Sequence, residues 1–533
     1  MPATETGILG QPGTHWRLAT ADRVALLVDG AAYFAALARA MEAAEHSITI
    51  LGWDILSDLV LEPETSKETL VERFVRLLLA TPTLEVRLLV WDWPMAMGLD
   101  REFLPQWQMA PAEDRLAFVF DDTVPVGAAH HEKVVVIDGT LAFVGGIDLT
   151  AGRWDTPRHE PESPHRRPAD GAEPPQPFHD MMLLVDGAAA RALAELAEER
   201  WRRATDQAIA LGGESGVAPW PEDVPPELER QAVAIARTRS ALGERPAVAE
   251  IEALYRAAIA AAERLIYIEN QYLTVPAIAR GLAQRLRRVA GLEVVIVTPA
   301  KCEGPFETAV MDQGRKTFTA TLEAAARDRV AVLNTYSRGA SVNIHAKLMI
   351  VDDRFMTVGS ANLANRSFGV DSEINLAIEK AQPDGVIRSW RHRLLAEHLG
   401  VTPDALAEAE EQRGSTIATI TALNDPDAQR HCRPLVLDGQ PLPEIVDGVA
   451  ELADPPEPII GDQFFGPALP LRYRRHWRRW GGRVAGVAGG VLLFATGVGP
   501  FNPVVSPWVS VPLGLALVAL WVAAERLWRP RLR

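Results

Sequence analysis

One pattern that occurs twice constrains this 533-residue chain more than any other feature. His131-Glu132-Lys133-Val134-Val135-Val136-Ile137-Asp138 and His345-Ala346-Lys347-Leu348-Met349-Ile350-Val351-Asp352 carry the same three residue types at the same spacing, 214 residues apart. Each apolar run ends in a Gly-rich turn, Phe143-Val144-Gly145-Gly146 and Thr357-Val358-Gly359-Ser360. A single such motif is compatible with an ordinary strand bearing a surface histidine. Two copies in equivalent contexts point to one site built from both. Residues i and i+2 of a strand share a face, so His131 lies with Lys133 and His345 with Lys347. Asp138 is an odd number of steps from both, and is expected to face away and fix the turn through hydrogen bonds.

The surrounding sequence repeats as well. Val24–Val28, Ser47–Trp53 and Leu84–Trp91 read as strands, with helices over Ala31–Ala44 and Lys67–Leu79. The programme restarts near residue 230, with strands over Ala232–Ile235, Leu265–Gln271 and Leu292–Val297 and helices over Val248–Arg264 and Ala277–Val289. Alternating strands and helices predict an α/β fold. The repetition predicts two similar domains, 21–212 and 226–400, separated by the Gly-, Pro- and acid-rich stretch Leu211–Pro226. Pro157–Pro177, with seven prolines, is expected to be a loop and a candidate rim or lid. Residues 401–470 begin helical at Pro403–Glu411 and turn acidic and Pro-rich, with no functional reading.

Composition matters at the C-terminal end. The chain carries a net charge of −16, yet residues 471–533 hold ten arginines against one acid, Glu525. The rest is therefore strongly acidic and poorly suited to non-specific nucleic-acid binding. Val484–Phe501 and Val504–Ala524 are uncharged apolar runs near the length needed to cross a bilayer. Arginines on both outer flanks, and tryptophans 477, 480, 508, 521 and 528 near the edges, predict a membrane hairpin over 484–524 with both ends cytoplasmic. A buried hairpin of a soluble domain is the alternative. No signal peptide is evident. Two cysteines, Cys302 and Cys432, exclude a disulfide framework and a Cys-rich zinc site.

The residue types suit phosphodiester cleavage. A neutral imidazole can attack an anionic phosphodiester that would repel an anionic nucleophile. Two ammonium groups can neutralise the non-bridging oxygens. A second imidazole can protonate the leaving alkoxide and later activate water. Such a reaction passes through a phosphohistidine and requires no metal or other cofactor. Only six lysines occur in the chain, and two of them are Lys133 and Lys347.

At these residues the sequence resembles the phospholipase D superfamily, whose mark is the duplicated His-x-Lys-x4-Asp motif. The flanking words are similar to its eukaryotic-type branch: His130-His131-Glu132-Lys133, Gly145-Gly146-Ile147-Asp148-Leu149 with Gly152-Arg153-Trp154-Asp155, Ile266-Tyr267-Ile268-Glu269-Asn270-Gln271-Tyr272, and Gly359-Ser360-Ala361-Asn362 with Asn365-Arg366-Ser367. The resemblance covers roughly residues 20–400. It implies two phospholipase D-type α/β sandwich domains related by a pseudo-twofold axis. Its catalytic set would be His131, Lys133, Asp138, His345, Lys347 and Asp352, with His131 as nucleophile and His345 as acid, then base. Ser360 and Asn362 match the phosphate-binding segment, and Asp180 and Glu373 the acids that back the histidines. The first motif departs from the generic pattern in having Gly146 and Asp148, and phosphate contact is not carried onto Asp148.

The expected function is a membrane-attached phospholipase D acting on a glycerophospholipid, by hydrolysis or by transfer to an alcohol. A cardiolipin synthase-like transferase is the runner-up, although its usual spans are N-terminal. A nuclease or a membrane scaffold with a dead site stands further off. No nucleic-acid partner is expected.

Overall fold

Val134 and Val136 enter one buried cluster, and Val135 and Ile137 another. In the second motif Leu348 and Ile350 part from Met349 and Val351 in the same way. A strand covered on both faces needs this period of two with no polar face, which is why both runs are apolar throughout. The protein is described here from a computed structural model, which describes residues 7–92, 115–125, 127–166, 175–209, 218–302, 305–437 and 453–458.

The first half contributes β1 (Arg17–Val28), β2 (Ser47–Gly52), β3 (Glu85–Trp91), β4 (Leu116–Asp121), β5 (Lys133–Ile137), β6 (Leu141–Gly145), β7 (Phe178–His179) and β8 (Met181–Asp186). The second contributes β9 (Leu228–Arg239), β10 (Val248–Ala249), β11 (Leu265–Asn270), β12 (Glu293–Val297), β13 (Val330–Ser337), β14 (Ala340–Ser341), β15 (Asn343–Ile344), β16 (Lys347–Val351), β17 (Phe355–Gly359), β18 (Glu373–Glu379) and β19 (Arg430–Pro434). In the first half β4, β3 and β2 pair in parallel, and β2, β5, β6, β8 and β1 continue antiparallel. In the second, β13, β12 and β11 are parallel, and β11, β16, β17, β18 and β9 continue antiparallel. The same pairing order thus runs through both halves, and β1 with β9 joins them into one mixed sheet system.

Helices cover the outer faces. Asp29–Glu42 buries Tyr33, Phe34, Leu37 and Met41, and Leu70–Ala80, opened by a capping box between Thr69 and Glu72, buries Phe74 and Leu77. Glu250–Ala261 and Pro276–Arg288 do the same for the second half. The inner faces of both halves share one core with the helices Gly187–Thr205 and Gly385–Leu399. Burying side chains of the Val, Leu or Phe kind contributes roughly 1.5–3 kcal/mol each, so this shared core holds the halves in register.

Two segments read from the sequence are placed by the structure, and a third is not. Beyond residue 400, after helices Pro403–Arg413 and Thr416–Leu423, β19 pairs antiparallel with β13 and adds a strand to the sheet. The described part of Pro157–Pro177 mixes exposed residues, Pro157, Arg158, Glu162 and Pro164, with deeply buried ones. His159 and Arg166 are fully buried there, and Arg166 pairs with Asp155 and donates to the carbonyls of Pro161 and Pro175. The Arg166 side chain thus satisfies backbone carbonyls within this irregular segment. The apolar runs of 484–524 lie outside the described residues. Among the described residues no helix is long and apolar enough to cross a membrane.

Candidate active site

Each motif histidine stands just before its strand, and each is held by the other half of the molecule. The His131 N–H donates to the Ser372 carbonyl, and the His345 N–H to the His179 carbonyl. One residue on from each acceptor is a carboxylate. Glu373 puts both oxygens 3.0 Å from His131 Nδ1, and Asp180 Oδ2 lies 2.6 Å from His345 Nδ1. The pairing is therefore crossed: the acid downstream of the first motif serves the second histidine, and the reverse. With Nδ1 occupied, Nε2 is the nitrogen left on each ring.

Local geometry explains the unusual Gly146. A Cβ on this residue would fall 2.2 Å from Asp180 Oδ2, so no side chain fits where the short Asp180 reaches His345. At the equivalent place in the second half the longer Glu373 leaves room for Ser360, whose hydroxyl donates to Glu373 Oε2. Ser360 thus supports the carboxylate. Asn362 is buried, and among the described residues its Oδ1 has no hydrogen-bond partner.

The lysines have different surroundings. Lys133 Nζ lies 3.0 Å from Asp148 Oδ2 and donates to the His131 carbonyl at 3.0 Å. Lys347 Nζ lies 2.8 Å from His345 Nδ1, 3.8 Å from Asp180 Oδ2 and 3.4 Å from Gln271 Oε1. Asp148, which occupies the position of Asn362, is the counter-ion of Lys133. Gly359-Ser360-Ala361-Asn362 aligned on Gly145-Gly146-Ile147-Asp148 marked the position, but only contact distances reveal the ion pair. Asp148 Oδ1 also accepts the Trp53 N–H at 3.0 Å.

Electrostatics couples the two motifs. Burial first, then Lys133 and Lys347, hold the His131 pKa well below its ordinary value. Burial, Lys347, Arg153 and Lys133 do the same to His345. Both shifts favour the neutral imidazole. Burial pushes Asp180 up to about 6, and burial with Asp371 pushes Glu373 well above the usual carboxylate range. For Nε2 to be free on either ring, Nδ1 must carry the ring proton and present it to the carboxylate. Burial brings Lys347 down to about 8. Arg153, also beside Phe178, is a cation that sequence reasoning quoted without assigning a role.

Asp138 and Asp352 stand apart from this cluster and do matching work elsewhere. Asp138 accepts the N–H groups of Glu45, His46 and Ser47 at 2.7–2.8 Å. Asp352 accepts those of Glu263, Arg264 and Leu265 at 2.8–2.9 Å. Both lie in left-handed turns, at φ 51° and 53°. Each carboxylate pins the start of the strand beside its own motif strand. Leaving one such donor buried and unpaired costs roughly 1–3 kcal/mol.

Fold and site together define a class, proteins with a duplicated His-x-Lys-x4-Asp motif whose halves share one centre. Comparison with known families agrees. A "Phospholipase D" family model matches residues 109–276, and a "Cardiolipin synthase, PLD-like domain" model matches residues 255–392. The chain belongs to the phospholipase D superfamily and stands close to its eukaryotic-type branch. It is 24% identical to phospholipase D alpha 1 of Carica papaya and 25% identical to phospholipase D alpha 4 of Arabidopsis thaliana. These matches cover 69% and 70% of this chain but 64% of each relative, so the chain spans just under two thirds of their length. Among solved structures, phosphatidylserine synthase from Haemophilus influenzae Rd KW20 has a similar fold, with a TM-score of 0.50 and 14% identity. That match covers 82% of this chain and 94% of the other.

Proposed function

We propose that this chain is a phospholipase D that cleaves the distal phosphodiester of glycerophospholipids to phosphatidic acid and free head group. The observation that carries the reading is the crossed pair, His131 with Glu373 and His345 with Asp180, with Lys133 and Lys347 beside it. The plant relatives are named phospholipase D over most of this chain, and that supports the choice of substrate.

In the proposed reaction His131 Nε2 attacks phosphorus, the bond to the head-group oxygen breaks, and that oxygen takes a proton from His345. Burial, then the neighbouring cations, disfavour the charged form of His345, and an anionic phosphodiester bound beside it counters the cations and favours the imidazolium. Water then attacks the phosphohistidine, gives its proton to His345, and releases His131. An alcohol in place of water yields a phosphatidyl alcohol. Lys133 and Lys347 neutralise the phosphoryl oxygens, and Asn362 donates to them. Asp138 and Asp352 act at one remove, by holding the strands.

The matching pair order of the two halves supports reading them as duplicated domains, 21–212 and 226–400. The apolar runs and arginine flanks of 484–524 support a hairpin that anchors the catalytic halves on the cytoplasmic face of a membrane. Deleting 471–533 should move the protein to the soluble fraction; persistent membrane binding would place the anchor elsewhere.

Incubation with phosphatidylcholine and a primary alcohol tests the activity. A phosphatidyl alcohol alongside phosphatidic acid is expected. Product formation only from phosphatidylglycerol as both donor and acceptor would favour the cardiolipin synthase reading suggested by the second family model.

The reaction should also weaken on the alkaline side. Lys347 loses its proton near pH 8, and the neutral amine no longer attracts the phosphoryl oxygens. The pH profile of kcat/KM, which reports the free enzyme, should fall above about pH 8. In Lys347→Arg, whose guanidinium stays charged, activity should be lower throughout but free of that limb. The same limb in both proteins would assign it to another group.

A further inference from the structure

A second cluster of titratable side chains lies outside the His-Lys centre, between the two halves. Asp29, His159 and His179 are fully buried, and Glu397 joins them from the helix Gly385–Leu399. One ligand atom from each of the four lies within 4.8 Å of all the others. His179 Nδ1 stands 3.0 Å from Asp29 Oδ1 and 3.1 Å from Glu397 Oε1. His159 Nε2 stands 2.9 Å from Glu397 Oε1 and 3.8 Å from Asp29 Oδ2. For bonds of about 2.0–2.1 Å to a tetrahedral ion, ligand atoms sit roughly 3.3 Å apart. The contacts of 2.9–3.1 Å lie a few tenths of an ångström below that value, and the 3.8 Å contact is to the other Asp29 oxygen.

We propose that Asp29, His159, His179 and Glu397 form a binding site for one divalent transition-metal ion, zinc by ligand type, which ties the two halves together. Two independent features support it. Among the described residues the buried Asp29 Oδ2 has no hydrogen-bond partner, its nearest cationic nitrogen being His159 Nε2 at 3.8 Å. Burying a carboxylate oxygen without a donor is costly, and a bound cation removes that cost. The second feature is the outer ring. His159 Nδ1 faces Asp155 Oδ2 at 3.0 Å, and His179 Nε2 faces Glu269 Oε2 at 2.9 Å. Metal-binding histidines characteristically present their second ring N–H to a carboxylate, which fixes the tautomer and aims the other nitrogen at the ion.

Charge and access are consistent with this set. Two carboxylates balance a dication, and histidine with carboxylate oxygen suits zinc and its first-row neighbours. Glu397 borders a cavity of about 590 Å³ also lined by Val28 and Arg158, which offers an entry path. Arg430 donates to the Glu397 carbonyl, and its Nη2 stays 3.9 Å from the carboxylate. The ion would serve as a clamp away from the reaction. His179 immediately precedes Asp180, and its carbonyl holds the His345 N–H, so the clamp would secure the strand that carries the carboxylate of the second histidine.

The test is elemental analysis of the full chain purified without a metal-affinity tag, followed by chelation and titration with Zn²⁺ or Co²⁺. About one ion per chain is expected. Chelation should lower the Tm, and one equivalent of Zn²⁺ should restore it. Co²⁺ should give the visible absorption of a tetrahedral nitrogen and oxygen site. His159→Gln and Asp29→Asn should lose the ion, while His131→Ala should keep it. Wild-type protein that carries no metal and takes up neither ion would overturn the site, leaving two imidazolium ions as its occupants. So would metal that persists in folded His159→Gln and Asp29→Asn. The wild-type arm decides the matter even if both variants fail to fold.

Discussion

His131→Ala should remove turnover by about four orders of magnitude or more, and no change of leaving group should restore it. The variant deletes the only atom proposed to bond phosphorus. His345→Ala should be equally inactive on natural lipids, whose leaving alkoxide needs a proton. It should differ on a phosphatidyl ester of an acidic phenol, which leaves without one. There His345→Ala should still give a burst of one phenol per site in rapid-mixing kinetics, with slow turnover after it. A burst in His131→Ala and none in His345→Ala would exchange the roles of the two halves. A burst in neither would argue against the covalent route. Circular dichroism melts would verify that both variants stay folded. The physical basis is the preference of both imidazoles for the neutral form, imposed by burial and by the lysines.

The second large effect concerns the crossed carboxylates. Glu373→Gln should slow formation of the phosphohistidine, because Glu373 backs the attacking His131. Asp180→Asn should slow proton delivery, because Asp180 backs His345. An amide in place of a carboxylate can present its own N–H to the imidazole and stabilise the wrong tautomer, at a cost of roughly 10²–10⁴-fold in kcat. The acidic phenol again separates them. It should rescue the burst in Asp180→Asn and not in Glu373→Gln. The opposite rescue pattern would mean that each acid serves the histidine of its own half.

Much of this site can be read from the chain, because His131, Lys133, His345 and Lys347 lie close together in their motifs and a strand's period of two sets their faces. The α/β class was legible for the same reason. Other features were not. Val24–Val28 reads as a strand, yet β1 begins at Arg17, because pairing with β9 orders residues whose own pattern is not strand-like. The sheet's last strand, Arg430–Pro434, carries two arginines and a proline, and only its hydrogen bonds to β13 make it a strand. His159 sits in a proline-rich run that looks like an exposed loop. Burial follows from Asp29 and Glu397 converging on it from distant positions, beside Asp155 four residues away.

By itself the sequence determined that two His-x-Lys motifs exist, that each lies at the start of a buried strand, and that their chemistry suits an anionic phosphodiester. Those properties are local, set by spacing along a strand and by the charges of side chains two residues apart. Tertiary structure alone decided which acid meets which histidine, why Gly146 cannot bear a side chain, that Asp148 neutralises Lys133, and that Asp29, His159, His179 and Glu397 converge. Each depends on atoms brought within about 3 Å from segments far apart in the chain, and no periodicity along a single segment encodes such a meeting.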